Sequence, residues 1–437
     1  MKSPELLAPA GTMRNLRYAI AYGADAVYAG MPRYSLRVRN NDFNKVENLA
    51  AGIEHVHAFG KQFFMATNVL PHNSKVKTFL ADMEPIMELG PDALIMADPG
   101  LIMLVRERWP DMDIHLSVQA NTMNYASVKF WQQLGIKRII LSRELSLDQV
   151  EEIRQECPNI ELEVFVHGAL CIAYSGRCLL SGYFNHRDAN QGTCTNACRW
   201  DYKVKDATED ASGDIHLRES VAQEDLQQET KVQLIEEANR PGELMPIEED
   251  EHGTYIMNSK DLRAVEHVER LVGMGIDSLK IEGRTKSHYY AARTAQVYRK
   301  AIDDAVAGQA FDPGLLGKLE NLANRGYTDG FFQRHHEQDQ QNYIDNHSKS
   351  SQQRFVGELV AYDTATGYAE VDVKNHFEVG DELELIMPGG NRTFRLEDMR
   401  DMKGNATGVA PGSGHRVQIP VTAESCDMAL LAVNLPG

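Results

Sequence analysis

The sequence predicts an α/β protein: a TIM-type β/α barrel, regular or irregular, followed by a small C-terminal antiparallel β-barrel domain. Three observations lead there. Short apolar runs alternate with amphipathic stretches in units of about thirty residues or less, the pattern of a parallel sheet covered by helices. Eight such strand-like runs occur, the number that closes a TIM barrel. From about Ser348 the character changes to short β-rich runs separated by turn signals such as PGGN. A length of 437 residues suits one large domain and one smaller one. The expected boundaries are 1–345 for the barrel, including a Cys-rich loop (167–200) and an acidic insertion (203–252), and 346–437 for the second domain.

Taken in order, ELLAPAG reads as the first strand and MRNLRYAIAYG as a helix ending at Gly23. DAVYAG, KQFFMATNVL, DALIMADPG, DIHLSVQAN, KRIILSRE and ELEVFVHG continue as strands. KVENLAAGIEHVHAFG, VKTFLADMEPIMELG, GLIMLVRERW, ASVKFWQQLG and LSLDQVEEIRQE read as the helices between them. The eighth strand is DSLKIEG, preceded by the helix DLRAVEHVERLVGMG. An open doubly wound sheet is the alternative, but no GxGxxG follows the first strand, which counts against a dinucleotide-binding version.

In a TIM barrel the C-terminal ends of the strands carry the site. Here they end in Asn68, Asp98, Gln119 with Asn121, Arg143 with Glu144, His167, and Lys280 with Glu282 and Arg284. In IHLSVQAN, His115, Ser117, Gln119 and Asn121 alternate with apolar residues, giving one polar and one apolar strand face. Any one of these is more often a loop or capping residue than a working one, so their repetition at strand ends is what marks them as candidates.

Composition is that of a globular protein, 43% hydrophobic and 25% charged. MKSPELLAPAG shows no basic stretch followed by an apolar run, and no window reaches the apolar length of a membrane span. A cytoplasmic protein with no membrane partner is expected. The net charge of −18 is uneven. Fifteen Asp or Glu against three Lys or Arg lie between Asp206 and Glu251, a local net of −12, and the expectation there is a solvated, partly mobile insertion. The remainder is near neutral, with basic stretches such as Arg33 to Asn40, and is compatible with an RNA partner.

Four of the six cysteines, Cys171, Cys178, Cys194 and Cys198, fall within one short stretch. A reducing compartment argues against disulfides, so metal or redox chemistry is indicated. Four thiolates suit zinc or an iron–sulfur cluster. Structural zinc sites favour tight CxxC knuckles, and none is present. The wide, uneven spacing suits a cubane cluster better, with zinc as the alternative.

EVFVHGALCIAYSGRCLLS (Glu163 to Ser181) resembles the signature of peptidase family U32: ExFxxG, a small and an aliphatic residue, Cys, four residues, GxC, one residue, an aliphatic and Ser. Every position is matched. NQGTCTNACRW, RPGELMPIEEDEHGTYIMNSKDL and SLKIEGRTKSHYYAARTAQVYRKAI also resemble the family, so the likeness spans nearly the whole chain. It points to those members that hydroxylate C5 of the wobble uridine of tRNA, with prephenate as the supporting metabolite. It implies a 4Fe–4S cluster on the four cysteines and an enzyme acting at the anticodon loop. Related members imply alternatives: oxygen-independent hydroxylation of a quinone precursor or of ribosomal RNA.

Against that background His167, Glu282 and Lys280 are the expected catalytic residues, the first two as acid/base groups. Arg143, Lys260, Lys280 and Arg284 are cationic candidates for a dicarboxylate. Asn68, Gln119, Asn121 and Asn258 complete the expected substrate-binding set. Tyr34, Tyr174 and Tyr183 are available to stack on splayed bases. The peptidase alternative finds no HExxH and no GxSxG.

Overall fold

In the computed structural model, the structure describes residues 2–31, 33–35, 42–169, 173–174, 177–178, 202–209, 215–217, 233–237, 244–250, 253–256, 261–322, 326–333, 353–422 and 426–435. Eight parallel strands close on themselves: β1 (Glu5–Pro9), β2 (Ala26–Gly30), β3 (Gln62–Thr67), β4 (Ala93–Met96), β5 (Ile114–Leu116), β6 (Arg138–Ile140), β7 (Glu161–Ala169) and β8 (Ser278–Ile281). Each pairs with the next, and β8 pairs with both β7 and β1. This is the expected β/α barrel. Parallel neighbours need a crossover, and helices supply it: α1 (Met13–Ala21), α2 (Val46–Ala58), α3 (Asn73–Met87), α4 (Pro99–Arg108), α5 (Tyr125–Gln133), α6 (Leu147–Glu156) and α7 (Val268–Met274). After β8 come α8 (His288–Val306) and α9 (Gly314–Glu320).

The helix starts follow from local chemistry. Ser146 and Gln149 form a reciprocal capping box at α6, and the side chains of Thr12, Asn124 and Ser287 accept from the first turns of α1, α5 and α8. Asp98 does the same for α4, accepting from Leu101 N at 2.9 Å. Its polar character at a strand end thus serves a helix start, and it leaves the list of site candidates. The predicted strand IHLSVQAN stops at Leu116. A 3₁₀ turn over Val118–Ala120 follows, and Asn121 takes the left-handed conformation, φ 50°, which Asn tolerates better than most residues.

Two compact units divide the chain. The first combines Met1–His167, Ala264–Leu322 and Ser350–Gly437; the second is Gly168–Arg263 with Ala323–Lys349. Within the second, the segment expected to be a solvated, partly mobile insertion carries an antiparallel sheet. Its order is Ile215–Leu217, Tyr202–Glu209, Gln233–Glu237, Leu244–Asp250 and Gly253–Ile256. Ile235 and Ile247 are good strand formers within these acidic stretches, a propensity that the charge count hides.

The C-terminal strands build a curled seven-stranded antiparallel sheet around its own core of Val356, Val371, Phe377, Leu385 and Leu431. It is joined to the barrel through α1 and α8. Arg293 of α8, fully buried, forks onto Glu384 (3.0 Å for one arm) and reaches Gln353 at 2.9 Å. Asn391 donates to Glu384 at 2.7 Å, and Tyr22, which caps the C-terminus of α1, donates to Ile386 O at 2.8 Å. Such a buried, multiply bonded pair is held by its geometry, since an uncompensated charge there costs about 3–5 kcal/mol. Among the described residues no helix is long and apolar enough to cross a membrane.

His288 sits in the same junction, beside Tyr18, Phe355 and Glu358. Burial, then the charges of Arg14 and Lys374, lower its pKa from the usual 6.5 to about 4. The folded protein therefore holds this ring neutral where the unfolded chain would protonate it. The resulting stability is complete above pH 6.5 and is lost as pH falls towards 4, by about 3 kcal/mol. In urea titrations across that window, a His288→Gln variant should lose correspondingly less stability than wild type.

Candidate active site at the mouth of the barrel

Side chains alternate across a strand, so Glu163 and Phe165 share one face of β7, and Ser278, Lys280 and Glu282 one face of β8 and its continuation. TIM-barrel interiors are ordinarily filled by apolar layers; this one is ionic. At its base Arg138 of β6 contacts Glu5 at 2.6 Å, Glu161 at 2.9 Å and Glu163 at 3.2 Å. Ser278 donates to Glu5 at 3.0 Å. Above this, Lys280 donates to Glu163 at 2.7 Å, with both side chains buried. The Lys280 ammonium also lies 4.5 Å over the Tyr28 ring and 5.4 Å over Phe165.

The network shifts its members. Burial pushes the Lys280 ammonium pKa down, a change that Glu163 opposes without cancelling. Burial also raises the Glu5 carboxyl, against the pull of Arg138. His115, packed edge-on against Phe64, is held well below its usual value by burial and by the charges of Arg138 and Lys280. It is a neutral ring in the wall.

At the mouth, Glu282 accepts from Arg143 Nη2 at 3.0 Å and from the Tyr28 hydroxyl at 3.4 Å. The Arg143 guanidinium lies 3.8 Å from the centroid of the Phe165 ring. Arg284 Nη1 donates to Ser35 Oγ at 2.9 Å, with its guanidinium 5.8 Å from the Tyr28 ring centroid. Two glycines make room for this. A Cβ on Gly30 would stand 2.4 Å from Arg284 Nη1 and 2.6 Å from Ser35 Oγ. Gly283, at φ 145°, would place one 2.6 Å from the Tyr290 ring, whose hydroxyl donates to Glu282 O at 2.7 Å.

The structure thus brings Arg143, Glu282 and Arg284 together with Lys280 beneath them. Lys280 is only 3% exposed and belongs to the interior network through Glu163, a placement below the strand end at which the sequence set it. Asn68, Gln119 and Asn121 form a separate polar rim: Asn68 donates to Ser117 at 3.5 Å, Ser117 to Gln119 at 3.0 Å, and Asn121 to Gln119 O at 3.2 Å. His167 takes an unexpected direction. A bulge in β7 sets Lys280 opposite Phe165 but Ile281 opposite His167, skipping Val166. Bulges re-aim side chains, and the His167 ring lies against Tyr290 and Tyr298 of α8. Tyr34, a stacking candidate, is instead core: its ring meets Phe79 edge-on and its hydroxyl donates to Asp82 at 2.6 Å.

Asn258, Lys260, Cys171, Cys194, Cys198 and Tyr183 lie outside the described residues, and for Cys178 and Tyr174 only the backbone of a short hairpin is described. The sequence reading missed Arg138, Glu163, Tyr28 and Tyr298. Glu161 and Glu163 in ELEVFVHG were the available signal, because two acids on one face of an otherwise apolar strand need a buried partner.

With this geometry in place, comparison with known proteins is direct. Residues 11–342 match Peptidase family U32, and residues 351–432 match the Peptidase family U32 C-terminal domain. The chain belongs to peptidase family U32. Similar proteins include tRNA hydroxylation protein P of Escherichia coli (strain K12), 61% identical over 446 residues that cover 100% of this chain and 98% of that protein. Its Haemophilus influenzae namesake is 57% identical, covering 99% and 96%. tRNA hydroxylation protein P1 of Bacillus subtilis (strain 168) is 34% identical, covering 94% and 90%.

Within this U32 barrel the Gly30–Arg284 contact gives a sharp test. A Gly30→Ala substitution should expel the Arg284 guanidinium from its place beside Ser35 and cost about 1–3 kcal/mol by overpacking. Urea unfolding and a crystal structure of the variant check both statements. An unmoved Arg284 with unchanged stability would contradict them.

Proposed function

We propose that this protein is a tRNA-modifying enzyme that hydroxylates C5 of the wobble uridine, with prephenate as the supporting small molecule and a 4Fe–4S cluster as cofactor. The observation that carries this reading is 61% identity, along the entire chain, to a tRNA hydroxylation protein. The closed barrel with a polar, cationic mouth agrees with it. C5 of uracil is not acidic, so adding a hydroxyl there calls for redox chemistry. Cys171, Cys178, Cys194 and Cys198 offer a four-thiolate donor set that suits a cubane, and β7 ends at Ala169, two residues before the first of them. When bound, the cluster supplies one-electron chemistry.

The chain's own residues have distinct tasks. Arg143 and Arg284 offer guanidinium groups to the carboxylates of a dicarboxylate ligand. Glu282, held by Arg143 and Tyr28, orients that array and limits its net positive charge. Lys280 holds the floor of the mouth in place through Glu163. His167 handles a proton at the edge of β7. Asn68, Gln119 and Asn121 form a polar rim available to the nucleotide, and Asn258 and Lys260 stay substrate-binding candidates on the sequence alone.

Nucleoside mass spectrometry of tRNA from a deletion strain, grown with limited oxygen, tests the reading. Complementation with wild type should restore 5-hydroxyuridine derivatives, whereas Cys194→Ala should not. Derivatives that persist unchanged in the deletion strain would overturn it and turn attention to quinone, ribosomal RNA or peptide substrates.

A further inference from the structure

The bulge in β7 carries a consequence for the protonation of His167. Three groups converge on the hydroxyl of Tyr298, a fully buried residue of α8. The hydroxyl oxygen lies 2.7 Å from Val166 O, 3.2 Å from Ala264 N and 3.3 Å from His167 Nδ1. A phenol has one proton and two lone pairs. Val166 O is a carbonyl and only accepts, so a 2.7 Å contact between the two oxygens requires the Tyr298 proton between them. Ala264 N–H only donates, and it takes one lone pair. The remaining lone pair faces His167 Nδ1, and an attractive contact there requires a hydrogen on that nitrogen.

We infer that Tyr298 is a positioning residue that fixes His167 as the Nδ1–H tautomer, which makes Nε2 the acceptor nitrogen of that ring. The other parts of the fold agree. Val166 is the residue that the bulge removes from register with β8. Its carbonyl accepts from both Ala264 N–H (2.9 Å) and Tyr298, so the same irregularity that turns His167 towards α8 supplies the group that claims the Tyr298 proton. His167 is 1% exposed, and its ring lies 5.5 Å from that of Tyr298 and 5.7 Å from that of Tyr290. Packing on this scale leaves little freedom for a ring flip. A neutral imidazole has one donor and one acceptor nitrogen, and the partner of the first decides the second. The consequence for turnover rests on the hydroxylase reading, whereas the tautomer does not.

The test uses the full-length protein with ¹⁵N-labelled histidine. Two-bond ¹H–¹⁵N correlation spectra are recorded, and the His167 signals are identified by their loss in His167→Gln. Wild type should show a protonated, pyrrole-type Nδ1 and a pyridine-type Nε2. Tyr298→Phe, which keeps the ring volume, should move His167 towards the Nε2–H form. It should also lower the turnover of tRNA hydroxylation at least about tenfold, with KM for tRNA little changed. A pyridine-type Nδ1 in wild type overturns the inference whether or not the variant folds. So does an unchanged tautomer in Tyr298→Phe. A switched tautomer with unchanged turnover removes the positioning role. If wild type itself hydroxylates no tRNA, the functional reading fails, while the spectra still decide the tautomer.

Discussion

The structure depends on a charge problem solved inside the barrel. Glu5, Arg138, Glu163 and Lys280 occupy positions that a TIM barrel ordinarily fills with Val, Ile or Leu. Arg138, Glu163 and Lys280 are buried and Glu5 is partly buried, so each depends on its neighbour: Glu5 and Glu163 on Arg138, and Lys280 on Glu163. Removing Glu163 strips Lys280 of its ion-pair partner in a low-dielectric interior, which is far more costly than losing a surface ion pair. The gain is positional. Lys280, tied down by Glu163, lies under Tyr28 and Phe165, and these two rings support Glu282 and Arg143 at the mouth. The interior ions thus act as a floor for the residues above.

A second constraint is imposed by α8. One face of this helix holds the C-terminal domain through Arg293 and Glu384, while Tyr290 and Tyr298 reach the ends of β7 and β8. The same helix therefore couples the docking of the second domain to the placement of His167 and of the Glu282 backbone. This explains why the EGR turn needs a glycine. The Tyr290 ring fills the space that a side chain at 283 would occupy.

Much of this was legible in the sequence, for identifiable reasons. Eight apolar runs with intervening amphipathic stretches give the barrel, because burial on both faces writes a continuous apolar strand. Arg143, Glu282 and Arg284 were visible as polar groups at strand ends, and the structure gathers them. What stayed hidden depends on contacts distant in sequence. Nothing local shows that Arg138 meets Glu5 across more than a hundred residues, or that Tyr34 closes a core with Phe79 and not a base. A bulge between Phe165 and His167 is likewise a property of the partner strand, so strand-end placement alone could not show that the His167 ring lies against Tyr290 and Tyr298. The strands of the acidic segment were not read from the sequence, because its net charge draws attention to solvation and away from pairing.

The claim that the interior pair supports the mouth is tested most directly by a double-mutant cycle on Lys280→Met and Glu163→Leu, read by urea unfolding. The account predicts a coupling of about 2 kcal/mol or more, with the double variant more stable than the sum of the single losses allows. Losses that add to within about 0.5 kcal/mol would contradict it, showing that the two charges are satisfied independently and that the ionic floor does not exist as a unit.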